Sequence, residues 1–234
     1  MIKVIPTGPL MVNTLVIDVS KDKVLIVDPA ACSYSGDETK ITSYLASQKK
    51  EPLAVLLTHG HFDHVSGLPF LRKTYPDLPV LIHKEDSAFI GSNGGSLQSR
   101  QLSYMGFDSF TPAVSTLPEA DGFLDNAKTL HQALSEIFTE RRPELTEEEA
   151  DALKKWKILH TPGHTMGGVC FYNQEDGFLV SGDTLFYGSW GRTDLGGDEG
   201  QIMKSLHYLK ENIADEVLVF PGHDYTGFKM KDCF

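Results

Sequence analysis

At 234 residues, 41% hydrophobic and 23% charged, the chain has the ordinary composition of a globular protein able to bury a sizeable core. A net charge of −11 without any basic stripe argues against a nucleic-acid partner, and no run reaches the roughly 18 apolar residues of a membrane span. Three widely spaced cysteines without a C-x-x-C pair, behind an amino terminus with no apolar signal region, read as reduced thiols in a cytoplasmic protein.

The first six residues read as a strand ending at Pro6. Val12 to Val19 and Lys23 to Val27 are β-rich runs around Ser20-Lys21-Asp22, which predicts a hairpin, and the second stops at Asp28-Pro29. Ile41, Tyr44 and Leu45 stand at helical spacing within about 37–49. Leu53 to Leu57 is a continuous apolar run, the mark of a strand buried on both faces, and it delivers the chain to Thr58-His59. Val65, Leu68 and Leu71, with Pro76 beyond, predict a helix; Val80 to Ile82 predicts another strand.

Residues from about 91 to 155 differ in character. Ser92-Asn93-Gly94-Gly95-Ser96 reads as loop, and 106–126 carries turn formers without a period. Leu130, Leu134, Ile137 and Phe138 share a helical face, Pro143 breaks the chain, and Thr146-Glu147-Glu148-Glu149 is a capping box opening a helix toward Trp156. This stretch is expected to be an insertion within one domain spanning 1–234, being too polar for a core of its own. Strands then return at Lys157 to His160, Gly168 to Tyr172, Phe178 to Ser181 and Glu216 to Phe220, with a helix at about 198–211. The alternation in both halves predicts two sheets packed together with helices outside.

Four turns that follow predicted strands carry ligand-type residues: five of the nine histidines fall in three of them, and an aspartate in the fourth. The run His59-Gly60-His61-Phe62-Asp63-His64 ends one strand. His164 follows the second in Thr161-Pro162-Gly163-His164-Thr165, Asp183 the third in Ser181-Gly182-Asp183-Thr184, and His223 the fourth in Pro221-Gly222-His223-Asp224. A strand end is where backbone geometry aims imidazoles and carboxylates at one point. His59 and His61 share a direction if the chain stays extended, whereas Asp63 and His64 follow a turn, so the four suit two adjacent ions better than one. His83, His131, His160 and His207 are read as structural or surface residues, and Cys32 as a small buried hydrophobe.

That ordered set resembles the metallo-β-lactamase superfamily, with Asp28 in the place of the family's early aspartate. The Thr161 to Thr165 run, Gly182-Asp183-Thr184-Leu185-Phe186 and Gly188 to Leu195 look like its glyoxalase II branch. The resemblance implies an α+β fold, an αββα sandwich of two mixed sheets flanked by helices, with metals at the sheet edge. It implies one ion on His59, His61 and His164, a second on Asp63, His64 and His223, and Asp183 bridging them. Zinc is the expected metal, with iron or manganese as alternatives. Asp63 and Asp183 are the expected catalytic carboxylates. Asp28 is expected to orient a ligand or neighbouring backbone, with a turn-forming Asp-Pro as the equal alternative, and Arg192 and Asp194 to brace the site loop through an ion pair or backbone contacts. A substrate contact is the alternative for Arg192.

Two close divalent ions bring a shared water to hydroxide near neutral pH and polarise a carbonyl, so no serine or cysteine nucleophile is needed. The expected substrate is a small acyl thioester such as a hydroxyacyl-glutathione, an anionic thiol conjugate whose thiolate leaves without strong acid help. An aspartate at 183, where true β-lactamases of the superfamily usually carry cysteine or serine, points away from β-lactams. The sequence ends eleven residues after His223, so the helical carboxy-terminal domain of full-length glyoxalase II enzymes is expected to be missing. The wording Pro221-Gly222-His223-Asp224-Tyr225-Thr226-Gly227 resembles the persulfide dioxygenase branch, which makes a mononuclear-iron oxygenase the rival reading. A non-catalytic metal-binding protein and a small phosphodiesterase are remoter ones. No membrane partner is expected, and a homo-oligomer is compatible with the sequence.

Overall fold

The computed structural model describes residues 1–141 and 144–233, so the expected break at Pro143 lies outside the described residues. Strands β1 (Ile2–Thr7), β2 (Val12–Asp18) and β3 (Lys23–Val27) pair antiparallel. Strands β4 (Glu51–Leu56), β5 (Val80–Ile82) and β6 (Gly122–Phe123) extend the same sheet in parallel, in the order of the chain. Parallel neighbours require a crossover. Helix α1 (Lys40–Gln48) supplies it between β3 and β4, and helices α2 (Phe62–Val65) and α3 (Leu68–Thr74) between β4 and β5.

After α4 (Gly91–Tyr104), α5 (Leu130–Arg141) and α6 (Glu147–Lys154), the second sheet forms from β7 (Trp156–His160), β8 (Val169–Asn173), β9 (Phe178–Gly182), β10 (Leu218–Pro221) and β11 (Phe228–Lys229). Its order is β11-β10-β9-β8-β7, with β9 and β10 parallel across helix α7 (Glu199–Asn212).

Strand periodicity sorts the apolar side chains into layers. Leu15, Ile17, Leu25, Val27, Ala54 and Leu56 face Trp156, Ile158, Val169, Phe171 and Val180 between the sheets. The alternating residues Val16, Val24, Ile26 and Val55 pack beneath Ile41, Leu45, Leu68 and Leu71 of the helices. On the far side Leu159, Cys170, Leu179 and Val219 pack against Ile202, Leu206 and Leu209 of α7. The result is a helix–sheet–sheet–helix sandwich of two mixed sheets, as the resemblance implies.

Two local expectations give way to packing. The helix expected after His64 is two helices, because Gly67 is drawn onto the main chain: its N–H bonds the Pro29 oxygen at 2.8 Å. A Cβ at Gly67 would meet that same oxygen at 2.6 Å. Residues 92–96, read as loop, lie inside α4. Their glycines serve close approach rather than a turn: a Cβ on Gly94 would lie 2.5 Å from the Phe89 oxygen, and one on Gly95 3.0 Å from that of Ser115. The capping box at Thr146 and Glu149 is present and opens α6, while Trp156 begins β7. No helix among the described residues is long and apolar enough to cross a membrane.

The carboxyl ends of β3, β4, β7, β9 and β10 meet at one edge, where the two sheets are laced together. Val169 N–H bonds the Thr58 oxygen at 2.8 Å, and Asn13 N–H bonds the Gly222 oxygen at 2.7 Å. The Asn13 amide also reaches the carbonyls of Pro221 and Asp224.

Candidate metal centre

All seven expected ligand residues converge at this laced edge. His59 and His61 leave β4, Asp63 and His64 stand in the first turn of α2, and His164, Asp183 and His223 follow β7, β9 and β10. His223 is partly exposed and the other six are buried. His59, His61 and His164 present nitrogens close enough to share one ion, as do donor atoms of Asp63, His64 and His223. His61 Nδ1 lies 2.8 Å from His164 Nε2, and His64 Nε2 3.2 Å from His223 Nε2. Asp183 stands between the trios: Oδ2 is 3.6 Å from both His164 Nε2 and His223 Nε2, and Oδ1 is 3.4 Å from His64 Nε2.

Each of the five imidazoles has its other nitrogen engaged away from the centre. His59 Nδ1 lies 3.0 Å from Thr58 Oγ1, which donates its own hydrogen to Asp28 Oδ2 at 2.6 Å. His61 Nε2 reaches the Leu195 oxygen at 3.3 Å, His164 Nδ1 that of Arg192 at 2.6 Å, and His223 Nδ1 that of Leu10 at 3.1 Å. His64 Nδ1 lies 3.0 Å from Asp28 Oδ2. Outer acceptors of this kind fix which nitrogen carries hydrogen and turn the lone pair of the other toward a ligand.

Asp28 grouped with His59 and His64 also lies within ligating distance. Its oxygens are already committed to the Thr58 N–H, the Thr58 hydroxyl and His64. It therefore orients Thr58 and His64, from a left-handed backbone at φ 50° that aspartate tolerates better than most residues. The Arg192 carbonyl lies 2.6 Å from His164 Nδ1, and its guanidinium makes a two-pronged pair with Asp194, each bond 2.6 Å.

The electrostatics suit a cation. Among the described residues no lysine or arginine pairs with Asp28, Asp63 or Asp183; only imidazoles do. Burial alone would lower His64, but the surrounding carboxylates of Asp183, Asp63 and Asp28 push it up to about 10. Burial also works against ionised Asp63, yet the facing histidines, His64 first, hold it well below the usual carboxylate range. Burial raises Asp183 to about 6 and lowers His61 to about 4. It drives His59 and His164 well below the ordinary histidine value. A neutral trio of imidazoles beside a trio of two imidazoles and one carboxylate, with a further carboxylate between them, is a donor set for divalent metal, zinc or iron included. Two atoms facing the centre, His59 Nε2 and Asp183 Oδ1, are buried with no hydrogen-bond partner, an arrangement that a metal ligand explains. The residues fit the ions.

The other histidines stand apart, and among the described residues none joins a ligand group. His160 closes β7, stacks on His83 with ring centroids 4.1 Å apart, and donates to the Met166 oxygen. Cys32 is buried beside Ser35, outside every ligand group. Sequence reasoning missed Thr58, the carbonyls of Leu10 and Leu195, and two buried side chains, Asp86 and Gln98, that hold Gly60. Asp86 stands four residues beyond β5 in a polar stretch, away from the strand-end glycine turns that mark the ligands.

The family model described as the metallo-β-lactamase superfamily matches residues 7–223, and the chain belongs to that superfamily of metallo-hydrolases. The probable metallo-hydrolase YqgX of Bacillus subtilis is 32% identical over 221 residues, 93% of this chain and 87% of that protein. Hydroxyacylglutathione hydrolases, the glyoxalase II enzymes, are among its relatives. That of Nitrosomonas eutropha is 29% identical over 226 residues, 97% of this chain and 66% of that enzyme. Of solved structures, the B3 metallo-β-lactamase BLEG-1 aligns with a TM-score of 0.74 at 30% identity, over 96% of this chain and 92% of that one.

Proposed function

We propose that the chain is a dinuclear-metal hydrolase of acyl thioesters, with His59, His61 and His164 holding one ion, Asp63, His64 and His223 the other, and Asp183 between them. The observation that carries this reading is the set of five imidazoles, each tethered on its outer nitrogen, three of which (His64, His164 and His223) stand within 3.6 Å of the Asp183 carboxylate. Two divalent ions would supply an activated water at neutral pH and an electrophile for a carbonyl oxygen. The protein's part is to hold the donors rigid in a buried, carboxylate-rich edge. The three cysteines are buried, so a protein thiol is not presented to substrate.

The mouth of the site offers two unlike walls. On the His61 side, Leu97, Arg100, Tyr104, Asp194 and Leu195 line a cavity of about 350 Å³. Gln101 of the same helix donates to the Leu195 oxygen that His61 also reaches. Arg100 is exposed, and Asp194 is already paired with Arg192, so the cavity offers a cation to an anionic thiol carrier. On the His223 side, Leu10, Met11, Tyr187 and Tyr225 are exposed and apolar, suited to an acyl chain. A hydroxyacyl-glutathione has this division, an acyl group on a carboxylated thiol.

The test is metal content measured beside three assays: hydrolysis of lactoyl-glutathione without oxygen, oxygen uptake on glutathione persulfide, and β-lactam hydrolysis. Two ions per chain with anaerobic thioesterase activity, abolished by a chelator and restored by zinc, is the expected result. Full thioesterase activity in verified metal-free protein overturns it. One iron per chain with persulfide-dependent oxygen uptake would install the dioxygenase reading, and β-lactam turnover without thioesterase activity the lactamase one.

A further inference from the structure

The two loops that carry His59, His61 and His164 come from different sheets, and a third segment stands between them. It begins with the 3-10 turn Lys84–Phe89 and continues into α4. Asp86, on that turn, is 0% exposed. Its Oδ2 accepts the Gly60 N–H at 2.9 Å and its Oδ1 the Gly167 N–H at 2.7 Å. One carboxylate thus clips the residue between His59 and His61 to the turn that follows His164.

A second clamp closes on the same peptide. Gln98 of α4, also 0% exposed, donates through Nε2 to the Gly60 oxygen at 2.6 Å and the Phe89 oxygen at 2.9 Å. Both polar groups of Gly60 are therefore held by buried side chains. The fit leaves no room for a Cβ: one on Gly60 would lie 2.5 Å from Phe89 Cβ, and one on Gly167 2.6 Å from the Asp86 nitrogen. By contrast, His64 and His223 are anchored by Asp28 and Leu10, on other segments.

We propose that Asp86, seconded by Gln98, is a positioning residue that sets the affinity of the His59–His61–His164 site while leaving the Asp63–His64–His223 site alone. It rests on the ligand assignment proposed above. Removing the clip frees two loops whose imidazoles must meet within hydrogen-bonding distance; it leaves the tethers of the second trio intact. Outer-shell partners of metal ligands typically tune affinity by about 10- to 100-fold.

The experiment measures zinc affinity by chelator competition for Asp86→Asn in two backgrounds. With His223→Ala, the retained ion sits on the first trio, and Asp86→Asn is expected to weaken it about tenfold or more. With His59→Ala, the retained ion sits on the second trio, and the same change is expected to cost less than about threefold. Gln98→Met keeps the side-chain shape, removes both donated bonds, and is expected to repeat the asymmetry at smaller size; it also serves if Asp86→Asn does not fold. Equal losses in both backgrounds, or none in either, overturn this inference alone. Wild-type protein that takes up no zinc overturns the ligand assignment, and this inference with it.

Discussion

Asp28 Oδ2 lies 3.0 Å from His64 Nδ1, so the residue that follows β3 aims the histidine at the centre of the site. The same oxygen accepts the Thr58 hydroxyl, which in turn receives His59 Nδ1. One carboxylate therefore governs a ligand of each trio. Asparagine tolerates the left-handed backbone at this position but cannot accept all three hydrogens. Asp28→Asn is expected to weaken both zinc sites by about 10- to 100-fold while the fold survives. Chelator competition beside a thermal melt measures the two effects separately.

Asp183 is the carboxylate within reach of both trios. Asp183→Ala is expected to reduce zinc content from two ions to one. Losing one ion removes several kcal/mol of charge stabilisation, a fall in thioester turnover of about a hundredfold or more. Elemental analysis and steady-state rates on the same preparation check both numbers. Two ions retained at unchanged turnover would remove Asp183 from the bridge.

Arg100 lines the cavity beside Leu195 and is exposed, so its contribution is bounded by what water leaves of an ion pair. Arg100→Ala is expected to raise KM for a carboxylated thioester about fivefold, with kcat unchanged. A neutral thioester of similar size should show no change. Added salt should erase the difference between wild type and variant, because such a pair is screened.

The two trios should differ in how their affinity depends on pH. In the first, burial lowers His61 to about 4 and His59 and His164 well below the ordinary value, so at pH 7 all three are already neutral. In the second, burial is outweighed by Asp183, Asp63 and Asp28, and His64 keeps a proton up to about pH 10. Metal must displace that proton, so affinity at the second trio should rise with pH through neutrality, and affinity at the first should not. Burial is outweighed at His223 too, which Asp63 and Asp183 raise, so calorimetry in buffers of different ionisation enthalpy should find at least one proton released by the ion of the second trio and none by that of the first. The sign for folding follows the same shifts. In the metal-free protein, lowered histidines favour the folded chain above their unfolded pKa, about 6.5, and that stability is lost as pH falls toward 4. The raised His64 contributes below about 6.5 and is lost as pH rises toward 10.

The convergence of the seven residues was legible because their types are rare and their setting repeats: each follows a strand, and His59 to His64 has a spacing few other functions require. The sandwich was legible because Leu53 to Leu57 and Lys23 to Val27 carry the apolar density of strands covered on both faces. What stayed hidden depends on tertiary contact. Gly94 and Gly95 have the composition of a turn, and only the nearby Phe89 and Ser115 main chain explains glycines within a helix. Asp86 and Gln98 look like surface residues of a polar stretch, and their burial follows from a segment wedged between two loops. Strand β11 has only two residues, too few for any period to declare it.

Three of the five histidines are held by main-chain oxygens, those of Leu10, Arg192 and Leu195. A carbonyl is the same acceptor whatever side chain its residue bears. Substitutions at these positions can therefore redraw the entrance without touching the imidazoles behind it, provided the backbone keeps its course. The aim of the imidazoles and the lining of the entrance are written in different parts of the same residues. A chain built this way is free to change its diet while keeping its chemistry.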